Sequence, residues 1–256
     1  MKTLFAFTKK EFTDHLRSGK LTVLGLIFLL FGIMNPAIAK LTPWLLEFMS
    51  DSLAESGMII TGVTVSAMDS WVQFFKNMPI ALIAFVLIES SIFTKEYSSG
   101  TLVLSLTKGL ARHKVVAAKS LILLFLWSVG YFICFLTTFA YNSYFWDNGV
   151  AKNLGLSILC WWLFGIFIIS LISLFSTLFT SSTSVLLGVG GAVLISYIFG
   201  LIPKIGGCLP THLTDGNSLI YGLKSAEDYL LAILITALVS AVSFAVSIPI
   251  FNKKQL

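Results

Sequence analysis

Few residues in this chain are of types that do chemistry, and their spacing narrows them further. Glu89 lies roughly one and a half turns before the end of an apolar run, where a carboxylate is costly unless it pairs or snorkels, so it is the one candidate for a proton-carrying or catalytic group. His15, His113 and His212 are scattered along the chain, which argues against a metal centre or a His-based catalytic set. Cys134, Cys160 and Cys208 have no CxxC spacing, and two of them fall inside apolar runs, so neither a disulfide framework nor a zinc site is indicated. Gly19-Lys20 is the sole Gly-Lys pair; Leu21 follows it and no glycine stands five residues before it, so it is not a phosphate-binding loop. No catalytic, cofactor or metal residue is assigned, and any energy source must be another chain.

The remaining polar feature is the stretch Glu89–Leu121, ESSIFTKEYSSGTLVLSLTKGLARHKVVAAKSL. It carries Lys95, Lys108, Arg112, Lys114 and Lys119 between two apolar runs. Gly100 should break a helix leaving the membrane, after which Leu102, Leu104, Leu106 and Leu110 form apolar knobs on an exposed segment. Such knobs need a partner surface. The competing reading is a basic loop resting on anionic lipid, where each Lys or Arg contributes about 1 kcal/mol.

These residues are positioned by membrane helices. With 57% hydrophobic and 11% charged residues and a mean hydropathy of +0.92, the chain lies far outside the soluble range of roughly a quarter charged. Its 256 residues suit a single all-α domain of six spans, each needing about 20 residues. The spans are expected at about 21–39, 78–93, 121–146, 154–179, 185–202 and 229–251. Pro36 kinks or ends the first, Pro203 closes the fifth, and Ser225 should cap the sixth. The first run lacks a small-residue cleavage site and is read as a retained span. Residues 40–77, with MIITGVTVSAM, should hold short helices on the membrane surface, and 203–228 forms a second such segment. Residues 1–20 place Phe5, Phe12 and Leu16 on one helical face beside Lys2, Lys9, Lys10 and Arg17, the pattern of an interfacial helix.

Six spans put both termini on one side. That side holds twelve Lys and Arg (Lys2, Lys9, Lys10, Arg17, Lys20, the five of the basic stretch, Lys253 and Lys254), against five opposite (Lys40, Lys76, Lys152, Lys204, Lys224). The asymmetry predicts cytoplasmic termini. It also accounts for the net charge of +5 without nucleic acid.

Two further patterns concern helix contacts. Gly188, Gly191 and Ala192 in the fifth span permit close backbone approach at a helix interface, although glycine is common in membrane helices generally. Ser170, Ser173 and Thr177 in the fourth span, and Thr236, Ser240 and Ser243 in the sixth, each keep to one helical face. They line a polar pathway or pack helices, unless each hydroxyl bonds back to its own helix.

Glu96, Gly100, Thr101 and Leu102, followed by Leu106, Thr107, Lys108, Arg112 and Lys119, resemble the cytoplasmic loop signature of ABC-2-type permeases, the membrane subunits of ABC transporters. KEFTDHLRSGKL at 10–21 is similar to that family's approach to its first span, and IFNKKQL to its C-terminus. Gly109 stands where many members have proline. The resemblance implies six helices with an amphipathic N-terminal helix and a coupling helix between spans 2 and 3. It further implies a dimer with a second copy or a related permease in the cell membrane, and cytosolic ATPase subunits that bind ATP and Mg and engage Glu96, Gly100, Thr101, Leu102, Leu106, Lys108, Leu110 and Arg112. The reading that follows is a transport subunit that is not itself an enzyme. The alternative is an ion-coupled carrier or membrane-embedded enzyme using Glu89, which suffers from the lack of a His, Asp or Lys partner in the neighbouring spans.

Overall fold

A computed structural model describes residues 2–49, 64–107 and 109–254. Among these, six helices are long and apolar enough to cross a membrane: α2 (Lys20–Phe48), α3 (Ala67–Glu89), α6 (Arg112–Phe145), α7 (Leu154–Leu178), α8 (Ser182–Gly200) and α11 (Glu227–Lys253). An N-terminal helix, α1 (Lys2–Arg17), precedes them, and short helices α4 (Thr94–Ser99) and α5 (Thr101–Thr107) join α3 to α6. Between α8 and α11 lie α9 (Pro203–Gly206), a 3-10 turn (Pro210–Thr214) and α10 (Gly216–Ile220).

The principal packings are α7 on α11, α2 on α6 and α3, and α1 on α6. α7 is the central helix, with 67% of its most apolar stretch buried inside the chain, whereas α8 is peripheral at 11%. Gly165 makes the α6–α7 contact possible, because a Cβ there would overlap the indole of Trp127. That indole is fully buried, edge-on to Phe28 and Phe85, and its Nε1 donates to the Trp162 carbonyl. On the other faces Leu26, Leu187, Leu234 and Leu238 are exposed, as surfaces covered by lipid rather than water require.

Several boundaries depart from the sequence expectation. α2 runs through Pro36 and Pro43 to Phe48 instead of ending near residue 39. Beside Pro36 the buried Asn35 accepts from Asn77 and donates to Thr138, whose hydroxyl donates to the Gly32 carbonyl, so α2 is tied to α3 and α6 next to the proline. α3 begins at Ala67, well before Met78, because Ser66 and Asp69 form a capping box. α6 begins at Arg112, not Leu121. Of the segment 40–77 expected to hold surface helices, residues 40–48 instead continue α2 and 67–77 belong to α3, while 50–63 lie outside the described residues. Residues 203–220 do not extend away from the bundle. They fold back onto it, where Trp161 donates to the Thr214 carbonyl, Ser157 to that of Gly216, and Gly216 abuts the Phe75 ring. Ser225 does not cap α11; its N–H and hydroxyl both donate to Asp228.

Candidate functional site

α1 presents two unlike faces. Phe5 and Leu16 point away from the bundle, 74% and 46% exposed, while Phe12 meets the Phe125 ring. Residues at the i, i+4, i+8 spacing of the other face, Phe7, Glu11 and His15, are buried against the spans. A carboxylate and an imidazole on the inward face demand partners, and three segments distant in sequence supply them.

Lys119, fully buried one turn or two inside α6, sits at the centre. Its Nζ lies 2.9 Å from Glu11 Oε2 of α1 and 2.9 Å from Glu96 Oε2 of α4, and it donates to the Ile92 carbonyl at 2.8 Å. Glu11 and the Ile92 carbonyl take hydrogen bonds from it, and Glu96 adds a close opposite charge. Lys10 reaches the other oxygen of each carboxylate, Glu96 Oε1 at 2.5 Å and Glu11 Oε1 at 3.1 Å. Two carboxylates and two ammonium groups therefore weld α1, α4 and α6 together. Burial disfavours the charged Lys10, but hydrogen bonding and attraction to Glu96 and Glu11 outweigh it and raise its pKa.

Glu89 terminates α3 in the same region, fully buried. The expectation that it lacks a His or Lys partner is overturned. His15 Nε2 lies 3.0 Å and Lys20 Nζ 3.7 Å from Glu89 Oε2, and Lys20 also donates to the Ile88 carbonyl. The His15 Nδ1 faces the Glu11 carbonyl at 2.8 Å. Both ring nitrogens thus lie within hydrogen-bonding distance of oxygen atoms, an arrangement that suits the imidazolium, which donates from both. Burial lowers the pKa of His15, yet the Glu89 hydrogen bond and charge prevail and raise it. The partners were missed because the N-terminal helix, not a neighbouring span, provides one of them.

The basic stretch is not an open loop. After α4, Gly100 takes a left-handed conformation (φ 66°), which favours glycine and turns the chain into α5. Leu102 is buried, a correction to its assignment as an exposed knob, and Leu106 and Leu110 pack partly against the core. Val103 and Thr107 face outward, and Thr101 is exposed. Lys108 and the side chain of Leu104 lie outside the described residues. Arg112, expected to orient a partner, instead donates to the carbonyls of Phe251, Asn252 and Lys254 at the end of α11. Lys254 in turn donates to Thr177 and Phe179 carbonyls at the end of α7, a cationic C-terminal cap; burial lowers its pKa to about 8. Tyr97 of α4 joins this clasp, its hydroxyl donating to the Ser176 carbonyl and its ring lying under Lys254 Nζ.

The other predicted residues lie elsewhere. Gly188 and Ala192 pack α8 on α7 within the chain, where a Cβ on Gly188 would strike the Phe175 ring, whereas Gly191 faces open space. The hydroxyl stripes are buried on α7 and α11. Ser170, Thr177 and Thr236 bond back to Phe167, Leu174 and Ala232 carbonyls, and Ser173 pairs with Ser120 of α6. Among the described residues no cluster of three or more His, Cys, Asp or Glu could hold a metal ion.

A bundle of six apolar helices with charged residues concentrated at one end defines a multi-pass membrane protein. Residues 5–212 match the family model described as ABC-2 family transporter protein, and the chain belongs to that family, as a permease component of ABC transporters. A comparison with curated proteins gives no significant match.

Proposed function

We propose that this chain is the membrane subunit of an ABC transporter in the cell membrane, with both termini cytoplasmic, in which a separate ATPase binding ATP and Mg docks on α4–α5 and drives export or mechanical action on a substrate. One observation carries the reading: the α4–Gly100–α5 turn exposes Val103 outward while Glu96 and Tyr97 bind its inner side to α1, α6 and α7. A segment both exposed and anchored to several spans is suited to pass a push from a docked partner into the bundle. The cationic excess on that side supports the orientation. The peripheral α8, with Gly191 unopposed, suits packing against a second copy or a related permease.

The carrier reading of Glu89 gains partners from the structure, but His15 and Lys20 sit at the same end of the spans. A proton exchanged among them crosses no membrane. The coupling reading is tested with Val103→Asp, which places a carboxylate in the docking surface without disturbing a buried contact. Pull-down of the ATPase should fail, since an unpaired buried charge costs several kcal/mol; undiminished capture places docking elsewhere.

A further inference from the structure

Two cavities meet on the face of the bundle flanking α8. The first, about 420 Å³, is an apolar groove walled by α3, α7 and α8, with Leu82, Val86, Ile168, Val189 and Val193 among its surfaces. The second, about 550 Å³, is polar and lies between the end of α8 and the folded-back 203–224 segment. Tyr197 lines both. Its hydroxyl is 3.2 Å from Thr214 Oγ1, and Trp161 of the groove donates to the Thr214 carbonyl at 2.9 Å. Two aromatic residues thus put their rings in the groove and their polar tips at the polar cavity, as amphipathic aromatics do at a membrane interface.

From Leu186 to Tyr197 the groove follows α8 for about 16 Å at 1.5 Å per residue, close to the roughly 15 Å of hydrocarbon in one leaflet. At its polar end Lys224 and Asp215 form a 2.8 Å ion pair, each about one-third exposed. His212 beside them stacks on Tyr229, and burial together with the nearby Lys224 charge lowers its pKa, leaving it uncharged at neutral pH. The polar cavity therefore offers one cation and one anion, side by side and accessible.

We infer that this composite site holds a membrane phospholipid with a zwitterionic ethanolamine head, one acyl chain in the groove, the phosphate on Lys224 and the ammonium on Asp215. An anionic head lacking the ammonium meets the Asp215 carboxylate without compensation. The inference rests on the transport reading only for calling this lipid a substrate; its binding requires no ATPase. Gly190 supplies the decisive variant, because it lines the groove and a Cβ on it meets no atom within 4 Å, so a side chain there starts in open space beside the groove.

The experiment uses the full chain in nanodiscs of phosphatidylethanolamine and phosphatidylglycerol, with a trace of either lipid carrying a photoreactive group on one chain. Labelling by the ethanolamine lipid should concentrate on the groove walls of α3 and α8 and fall about tenfold in Gly190→Phe. Lys224→Gln and Asp215→Asn should retain groove labelling but lose the preference for ethanolamine over glycerol. Should Gly190→Phe not assemble, Ile83→Trp on the opposite wall makes the same test. Labelling unchanged by a filled groove overturns the site, equal labelling by both lipids in the unaltered chain overturns the head assignment, and efficient disulfide crosslinking of Gly190→Cys between two chains shows a second copy in its place. Groove labelling together with ATPase capture that Val103→Asp leaves undiminished keeps the site standing and removes the coupling reading alone.

Discussion

Two regions of this bundle bury polar groups, and they do so by opposite means. At the end bearing the termini, full charges from α1, α3, α4 and α6 neutralise one another across long sequence separations. Along the α7–α11 seam, neutral hydroxyls turn mostly to carbonyls of their own helices. A hydroxyl bonded to its own helix lets a neighbour approach closely but does not tie the two together. An ion pair between elements does tie them, and its failure leaves a desolvated charge. The charged end is therefore joined element to element by charge, whereas the seam rests on close, static packing.

The severest test of that contrast is Lys119→Ala. Glu11 and Glu96, 5% and 12% exposed, would lose the buried one of the two cations they share and keep only the exposed Lys10, and breaking such a buried set costs about 3–5 kcal/mol. Ser170→Ala at the seam removes one neutral bond to the Phe167 carbonyl of its own helix, worth about 1 kcal/mol. Thermal unfolding in detergent should rank the two variants in that order. Equal losses would erase the distinction between linkage and seam.

Glu96→Gln probes linkage more gently, since the amide keeps the shape and some hydrogen bonding but not the charge. ATPase association is expected to remain, because Glu96 faces inward to Lys10 and Lys119, while hydrolysis loses its coupling to transport. Parallel pull-down, hydrolysis and transport assays check it; a variant that loses association but transports normally when docking is restored would contradict the proposed route of force.

The six spans, their one-sided charge and most of their ends were legible in the sequence. The rest was hidden for physical reasons. The early start of α3 depends on a capping box and on Asn77 finding Asn35, neither of which raises local hydropathy. Arg112 reads as a surface cation until α11 is seen to end beside it with carbonyls lacking donors. The inward face of α1 mixes Phe7 with Glu11 and His15, and its outward face mixes Phe5 and Leu16 with Lys9 and Arg17, so apolar periodicity alone left Glu11 and His15 unassigned.

His15 gives the linkage a pH dependence. Its pKa is raised in the fold, where burial opposes the charge but Glu89 more than compensates, so the stabilisation is fully present below about 6.5 and is lost as pH rises through the raised value. Hydrogen exchange of the α1 amides should therefore accelerate between neutral and alkaline pH relative to a seam reporter such as α7. His15→Gln should flatten that difference. An α1 exchange profile whose pH dependence survives the substitution would assign the effect to another group.

The smallest expected effect is the most informative about the seam. Ser240 is buried on α11, and its hydroxyl has no hydrogen-bond partner among the described residues. A buried hydroxyl without a partner carries its desolvation penalty uncompensated, so Ser240→Ala should leave thermal stability unchanged or raise it by up to about 1 kcal/mol. Transport should be unaffected if the stripe only packs helices. A substantial loss of transport with stability intact would mean that the hydroxyl meets a partner absent from the resting bundle, such as a passing substrate. The α7–α11 seam would then be a pathway that opens, and the static half of the contrast would fall.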